Sequence, residues 1–382
     1  MKIKPFFSLL VVFALVSGLH GDPPRFSLKG TASGWFAFTD TDPVRIRFGL
    51  RYLPEISGEL PVSEKFTLSG NVSLNTYSRF TASGDEEGGG ISRIKPYRAW
   101  LRVSSPQFEA RLGLQKINFG AAQLFRPLMW FDRIDPRDPL QITDGVYGIL
   151  FRYYFLNNAA VWAWGLYGND SPKGWESSPT EDKKPEFGGR IQVPFLKGEA
   201  GLSFHHRKAD LSEGILPEIA FLDPSAPEKR IGVDGRWDVG IGIWTEAVLK
   251  YQDHPAHPFP YQKFLTVGAD YTLPWGNGVP ILGETFFIQY SPTLTGGGQD
   301  RAFSALSLAY PLGILDRISG IFYYDWDSRN VYSFLSWNRT YDRWQFFVMG
   351  YWNPRYVEIY GIQSGNNPFS GRGIQLMLIF NH

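Results

Sequence analysis

Strict alternation of apolar and polar side chains is the feature that most constrains the fold of this chain. It is clearest in VRIRFGLRYL, residues 44–53, where every second residue is apolar and the others include Arg45, Arg47 and Arg51. A period of two places successive side chains on opposite faces of an extended strand. Arginines in this register face the lumen of a barrel, because an arginine that faces lipid at mid-bilayer costs about 2–4 kcal/mol. The pattern recurs along the chain and predicts an all-β, transmembrane, antiparallel up-and-down β-barrel.

The alternating segments are joined by connections that are short and long in turn. This arrangement is typical of barrels with short turns at one end and longer loops at the other. We count about 18 strands, with about 16 as the alternative because two weak strands can merge. Strands of about 9–11 residues are expected to cross an ordinary bilayer. The glycine- and acid-rich segment TASGDEEGGG, residues 81–90, is predicted to be a loop.

Residues 1–21 have the three parts of a secretory signal peptide. Lysines precede an apolar run that is too short to span a bilayer as a helix, and cleavage is expected after Gly18 or Gly21. Residues 22–382 contain no linker and no run of about twenty apolar residues. We therefore expect a single domain, the transmembrane barrel, after the signal peptide.

Composition argues against several classes of function. The formal net charge is +1 over 382 residues, which disfavours a nucleic-acid partner. Cysteine is absent, so a disulfide framework and a thiolate metal site are excluded. His254 and His257 beside Asp253 are too few ligands for zinc, and the adjacent His205 and His206 point to opposite faces of a strand. We expect neither a metal nor another cofactor.

One connection is much longer than a hairpin turn. It separates the predicted strands 107–116 and 146–155. A segment of this length inside a compact domain usually has a function of its own. We expect residues 117–145 to fold back into the lumen and form a constriction. Its charged candidate residues are Arg126, Asp132, Arg133, Asp135, Arg137 and Asp138.

Charged residues on the predicted inner face of the strands are the candidates for lining a pore and setting its selectivity. They are Arg45, Arg47, Arg51, Arg98, Arg102, Glu109, Arg111 and Arg152. Arg190, Arg207 and Glu199 are further charges on this face. An arginine wall opposite the carboxylates of the long loop would create a transverse field that orients dipolar solutes. The alternative, which the sequence leaves open, is that these charges only satisfy one another.

The last strand resembles a known assembly signal. It places Ile374, Leu376, Leu378 and Phe380 on one face, close to the carboxyl terminus. This resembles the C-terminal signature by which the bacterial barrel-assembly machinery recognises outer-membrane proteins. In this chain the aromatic residue is third from the end rather than last.

A second resemblance lies at the start of the long loop. The stretch GLQKINFG, residues 113–120, followed by Phe131-Asp132 and Asp135-Pro136, is similar to a motif of porin-like families of large barrels, including alginate-export-type channels. Those families often have Trp where this chain has Phe119. The resemblance implies a bacterial outer-membrane location and a porin-like channel for passive diffusion of small solutes.

The residues favour some solutes and partners over others. Arginine's bidentate geometry favours anionic solutes, whereas aromatics such as Trp100, Tyr154 and Trp244 fit sugar-like ones. The expected partners are outer-membrane lipid, the assembly machinery and the solutes, and both a monomer and an oligomer stay open. A non-conducting surface-binding barrel, such as a polysaccharide-anchoring lectin, is the alternative. A barrel enzyme is less favoured, because the chain has no G-x-S-x-G or H-E-x-x-H motif.

Overall fold

The computed structural model describes residues 25–41, 43–84, 86–212, 224–254, 258–354 and 369–382. The predicted signal peptide, residues 1–21, and His257 lie outside the described residues. Within the described ranges, no helix has the length and apolarity that crossing a membrane requires.

The described chain forms eighteen antiparallel strands in one sheet. The strands are β1 (Arg25–Asp40), β2 (Arg45–Pro61), β3 (Thr67–Ser83), β4 (Glu86–Ser104), β5 (Phe108–Gln115), β6 (Val146–Tyr154), β7 (Ala160–Leu166), β8 (Glu186–Phe195), β9 (Gly198–Asp210), β10 (Ser225–Asp238), β11 (Gly242–Gln252), β12 (Tyr261–Leu273), β13 (Val279–Ser291), β14 (Gln299–Pro311), β15 (Asp316–Asp325), β16 (Val331–Thr340), β17 (Trp344–Trp352) and β18 (Arg372–Asn381). Each strand pairs with its neighbours in the chain. β1 also pairs with β18, where Thr31 lies opposite Asn381, and this pairing closes the barrel. The prediction of an 18-stranded barrel is confirmed, and the 16-stranded alternative is wrong.

Alternation along the strands separates an outer surface from the lumen, as predicted. In β2 the exposed fractions of Ile46, Phe48 and Leu50 are 41%, 47% and 53%. On the opposite face Arg47 and Arg51 contact other inward-facing side chains. The outer apolar belt continues around the barrel. Soluble proteins rarely expose a contiguous apolar surface of this size, whereas in a transmembrane barrel it is covered by lipid.

Two expectations about the strands are wrong. The strands have 7 to 19 residues, and β1–β4 are the longest. In addition, most of residues 81–90 are not a loop, because they extend β3 and β4 until Ser83 pairs with Glu86. Interstrand backbone hydrogen bonds compensate here for the low strand propensity of glycine, and a composition-based argument does not register them.

The two ends of the barrel differ in their connections. Those that follow even-numbered strands are short turns and define what we call the turn end. Those that follow odd-numbered strands lie at the opposite end, the loop end. Two of the loop-end connections that are described in full enter the lumen: residues 116–145, called inner loop 1, and residues 167–185, called inner loop 2. Both have side chains packed into the hydrophobic cluster inside the barrel, to which Phe369 of the β17–β18 connection also belongs.

Candidate functional site

Inner loop 1 packs against the inner face of the later strands. Phe125 stacks on Phe286 of β13 with ring centroids 5.3 Å apart and meets the edge of Tyr323 of β15 at 5.5 Å. Ile117 and Leu128 are equally buried within this cluster. Apolar burial of this kind stabilises the loop in one position. The inward course of the loop agrees with the sequence prediction.

Two buried carboxylates hold the middle of inner loop 1. Glu284 of β13 accepts hydrogen bonds from the backbone N–H groups of residues 123–125 at 2.6 to 3.0 Å. Glu246 of β11 accepts from the backbone N–H groups of Ala122 and Leu128 at 2.7 and 3.1 Å. Bonds from backbone N–H groups to an ionised carboxylate are stronger than neutral ones. Sequence reasoning missed both glutamates, because nothing in the pattern indicates that backbone groups are their partners.

A glycine makes the approach to Glu246 feasible. Gly120 has a φ of +100°, and a Cβ there would lie 2.3 Å from Glu246 Oε1. Glycine alone combines that backbone conformation with the space that the carboxylate occupies. The last glycine of the GLQKINFG stretch thus serves the contact between loop and wall.

Inner loop 2 supports inner loop 1 from the side. Trp175 donates from its indole Nε1 to the backbone oxygen of Arg126 at 2.7 Å. Its ring packs on Phe264 and Phe286, with centroids 5.8 and 5.4 Å away. Sequence reasoning missed the inward course of this mostly polar loop. The large apolar side chain of Trp175 was the feature of the sequence that could have indicated a buried segment.

A buried ion-pair network lies between inner loop 2 and strands β9–β11. Glu228 Oε1 is 2.7 Å from Arg207 Nε, and its other carboxylate oxygen is 3.3 Å from Lys250 Nζ. Arg230 contacts both Glu228 and Glu176. The residues of this network are at most 6% exposed. Together with the aromatic cluster, the network occupies much of the half of the lumen beside β7–β17, which we call the filled half. A cavity of about 560 Å³, lined by Trp244, Glu284 and Ala305 among others, remains on this side.

A cavity of about 600 Å³ lies in the other half, between strands β2–β4 on one side and inner loops 1 and 2 on the other. The strands contribute the cations Arg51, Arg79 and Lys95, and the loop contributes Asp138 and Asp144. Asp132 and the exposed Arg133 line the loop side as well, together with Asp170 and Lys173 of inner loop 2. Positive charge therefore predominates on the wall, and carboxylates face it from the loop. Such an arrangement produces a transverse field across the cavity.

The two sides of the cavity meet at specific contacts. Lys95 Nζ lies 2.6 Å from Asp144 Oδ1, a pair that joins β4 to inner loop 1. The guanidinium of Arg51 lies 5.4 Å from the ring centroid of Tyr77 and 5.8 Å from that of Trp35. These rings orient Arg51 by cation–π contact without neutralising its charge.

The predicted charges nearer the turn end form one cluster. Glu109 lies 2.9 Å from Arg111, 3.5 Å from Arg152 and 3.9 Å from Arg102. The ring of Trp100 lies 4.7 Å from the Arg111 guanidinium. Glu59 also lies 3.9 Å from Arg102. Two carboxylates among three guanidinium groups leave this part of the wall net positive.

The other predicted wall arginines differ in their surroundings. Arg45 is exposed at the loop end of β2. Arg47 donates to Thr39 Oγ1 at 3.1 Å, and Arg98 donates to the backbone oxygen of Thr143 at 3.1 Å. Arg98 therefore ties β4 to inner loop 1.

The loop charges and the later arginines mostly form local pairs. Arg126 lies 3.2 Å from Asp132, and Arg137 lies 2.7 Å from Asp135. Arg190 Nη2 donates to a carboxylate oxygen of Asp234 at 2.8 Å, and Arg207 belongs to the buried network. Glu199 is exposed and accepts from Gln192 at 2.6 Å. Cavity-facing charge thus comes from a subset of the candidates together with Arg79, Lys95 and Asp144, which the sequence did not single out.

The chain is similar to solved structures of bacterial outer-membrane proteins, but only at low sequence identity. No protein-family model and no curated protein matches the chain. The in-vitro folded trimer form of OmpT, an outer membrane protein of Vibrio cholerae, is 12% identical with a TM-score of 0.55, over 94% of this chain and 100% of that one. OccD3 (OpdP) of Pseudomonas aeruginosa is 10% identical with a TM-score of 0.55, over 93% and 91%. OccAB4 of Acinetobacter baumannii is 7% identical with a TM-score of 0.52, over 94% and 98%.

The chain has the fold of bacterial outer-membrane porins. At these identities the likeness shows the fold alone. The porin-like architecture predicted from the sequence is confirmed, and the outer-membrane location predicted with it agrees with this fold.

Proposed function

We propose that the protein is an outer-membrane channel for passive diffusion of small solutes, and that the cavity beside inner loop 1 is its constriction. The observation that carries the proposal is the separation of charge across this cavity. Arg51, Arg79 and Lys95 lie on the strands, and the carboxylates of Asp138 and Asp144 lie on the loop. Small anionic and dipolar solutes fit such a field best, because guanidinium groups bind carboxylate, phosphate and sulfate oxygens.

Planar-bilayer recordings test this proposal directly. A channel gives discrete ohmic steps. Silence combined with glycan binding would favour the surface-binding alternative, which finds support in the filled half of the lumen. Silence combined with hydrolysis of lipid or peptide would favour an enzyme. The porin-like fold speaks for a non-enzymatic channel.

Removing the wall cations should change ion selectivity. In the triple variant R51S/R79S/K95S, we expect the reversal potential in a KCl gradient to shift toward cations. The expected fall in the anion-to-cation permeability ratio is about fivefold or more, because one charge at about 4 Å contributes about 1 kcal/mol even in water. Lys183→Ser is the control, since that lysine side chain is 80% exposed and outside the cavity. An unchanged reversal potential would remove the cavity from the permeation pathway.

Lowering the pH should move selectivity in the opposite direction. Burial raises the pKa of Asp138, against the opposing influence of Arg51 and with a further increase from Asp135. Asp138 therefore takes up a proton at a higher pH than an ordinary aspartate, and the loop side loses negative charge. As the pH falls from neutral toward the range in which ordinary aspartates titrate, we expect reversal potentials to shift toward anions. Asp138→Asn should show the shifted value already at neutral pH and a weaker dependence on pH.

The proposed partners follow from the same architecture. Outer-membrane lipid covers the apolar belt, and the assembly machinery recognises β18, whose Ile374 and Leu376 face outward. One of the similar structures is a trimer form, so we propose a trimer as the oligomeric state to test. Native mass spectrometry of the detergent-solubilised protein distinguishes it from a monomer.

A further inference from the structure

Five turns at the turn end carry large apolar side chains that no other described residue covers. Leu156, Leu196, Val239, Trp275 and Ile314 are 91%, 72%, 62%, 75% and 102% exposed. They belong to consecutive turns, from β6–β7 to β14–β15. Turn tips that face water usually consist of Gly, Asn, Asp, Ser or Pro. We call these five residues the apolar turn rim.

The tips of the remaining turns are polar, and the apolar residues beside these tips, Phe66 and Tyr341, are less exposed than the rim residues, at 43% and 44%. The β2–β3 turn exposes Ser63, Glu64 and Lys65, and the β16–β17 turn exposes Asp342 and Arg343. The β4–β5 turn consists of residues 105–107, Ser-Pro-Gln. The turn end is therefore divided into an apolar arc from β6 to β15 and a polar arc from β16 through β18 and β1 to β5.

At the first three of these turns, the apolar turn rim adjoins exposed apolar residues of the lipid-facing belt. Phe155 and Phe195 are 46% and 50% exposed beside the first two rim residues, and Ile241 is 46% exposed beside Val239. The exposed charges at these turns are Lys197 and Asp238. Lys197 has a long apolar stem, which lets its ammonium group reach lipid headgroups, whereas Asp238 limits how deeply the β10–β11 turn can enter the leaflet.

We propose that the apolar turn rim is immersed in the lipid leaflet at the turn end, so that the barrel sits with the β6–β15 arc deeper in the membrane than the polar arc. The proposal rests on the proposed outer-membrane function, because it requires a bilayer around the belt. Continuity with the belt selects lipid as the occupant, and Trp275 is a residue type enriched at membrane–water interfaces. Glu64, Lys65, Asp342 and Arg343 remain in water, because immersing charged groups in lipid is unfavourable.

The tilt has a consequence for the lumen. The apolar arc includes β7–β15, most of the strands beside the filled half, whereas the cavity lies against β2–β4 of the polar arc. At the turn end, the strands that bear the cavity therefore reach water, while β7–β15 reach lipid.

Site-specific fluorescence quenching tests the proposal. The chain contains no cysteine, so single cysteines at Leu156, Trp275 and Ile314 can be labelled with an environment-sensitive NBD dye. Glu64→Cys and Asp342→Cys are matched controls on polar turns of the same end. The labelled proteins are reconstituted in phosphatidylethanolamine–phosphatidylglycerol vesicles that contain doxyl-labelled lipids as quenchers.

The expected result is severalfold stronger quenching and a blue-shifted emission at the three rim positions, with neither at the controls. Equal exposure to water at all five positions would overturn the proposal and leave the rim free for a soluble protein partner. Equal quenching at all five would overturn the tilt. The readout does not require conductance, so it stays decisive even if bilayer recordings show no channel.

Discussion

The double variant E246Q/E284Q is expected to release inner loop 1 from the barrel wall and enlarge the channel. Glu284 accepts from the N–H groups of residues 123–125 and from Trp244 Nε1, and Glu246 accepts from Ala122 and Leu128. A glutamine turns an NH₂ group toward donors that need an acceptor. Each buried donor left without a partner costs about 1–3 kcal/mol.

The expected size of the effect follows from these bonds. A combined loss of about 4 kcal/mol raises the population of the released loop by about a thousandfold, at about 1.4 kcal/mol per factor of ten. We expect larger and noisier single-channel steps with weaker ion selectivity. Faster hydrogen exchange at the amides of 122–128 reports the same release without a current. Glu64→Gln, on an exposed turn, is the control, and unchanged exchange at 122–128 would contradict the role of the two carboxylates.

The two halves of the lumen differ in their packing. Beside β7–β17, aromatic packing around Phe125 and the ion pairs of Glu228 immobilise both inner loops. Beside β2–β4, the wall cations face open space and the opposing carboxylates of the loop. Because inner loop 1 is fixed against the later strands, its carboxylates are held at constant distances from the cations of β2–β4. A steady transverse field across the cavity requires such fixed distances.

The sequence predicts the barrel well, because each strand reports its own orientation. Alternation in VRIRFGLRYL places Arg47 and Arg51 in the lumen without knowledge of any neighbour. The length of the 116–145 connection likewise predicts its inward course. Both inferences need only local chain geometry and the cost of charge in lipid.

The residues that line the cavity were harder to predict from the sequence, because they depend on the pairing register of neighbouring strands. By simple alternation Lys95 shares a face with Tyr97 and opposes Arg98. The structure has a register shift between Ser73 and Leu74 of the neighbouring strand, after which Lys95 lines the cavity. A β-bulge re-aims the side chains that follow it, and nothing in a single sequence marks its position with certainty. The partners of Glu246 and Glu284 were hidden for a related reason, since backbone N–H groups carry no residue identity.

Replacing Glu228 with glutamine is expected to give the largest loss of stability. The carboxylate lies 2.7 Å from Arg207 and 3.3 Å from Lys250, and it also contacts Arg230. Glutamine preserves the shape but leaves these cations buried with less compensation, and removing one partner of a buried pair costs about 3–5 kcal/mol.

The loss is measured as a lower midpoint of unfolding in guanidinium chloride for the protein in detergent. The folded fraction is detected by the heat-dependent shift in its electrophoretic mobility. The control is Asp182→Asn, which removes the ion pair between Asp182 and Lys183. Their side chains are 78% and 80% exposed, and exposed pairs of this kind contribute less than about 1 kcal/mol. Equal midpoints for E228Q and D182N would mean that Glu176 alone balances the buried cations. A selective loss in E228Q would show that the filled half of the lumen depends on this carboxylate, because the glutamine preserves its packing and removes only its charge.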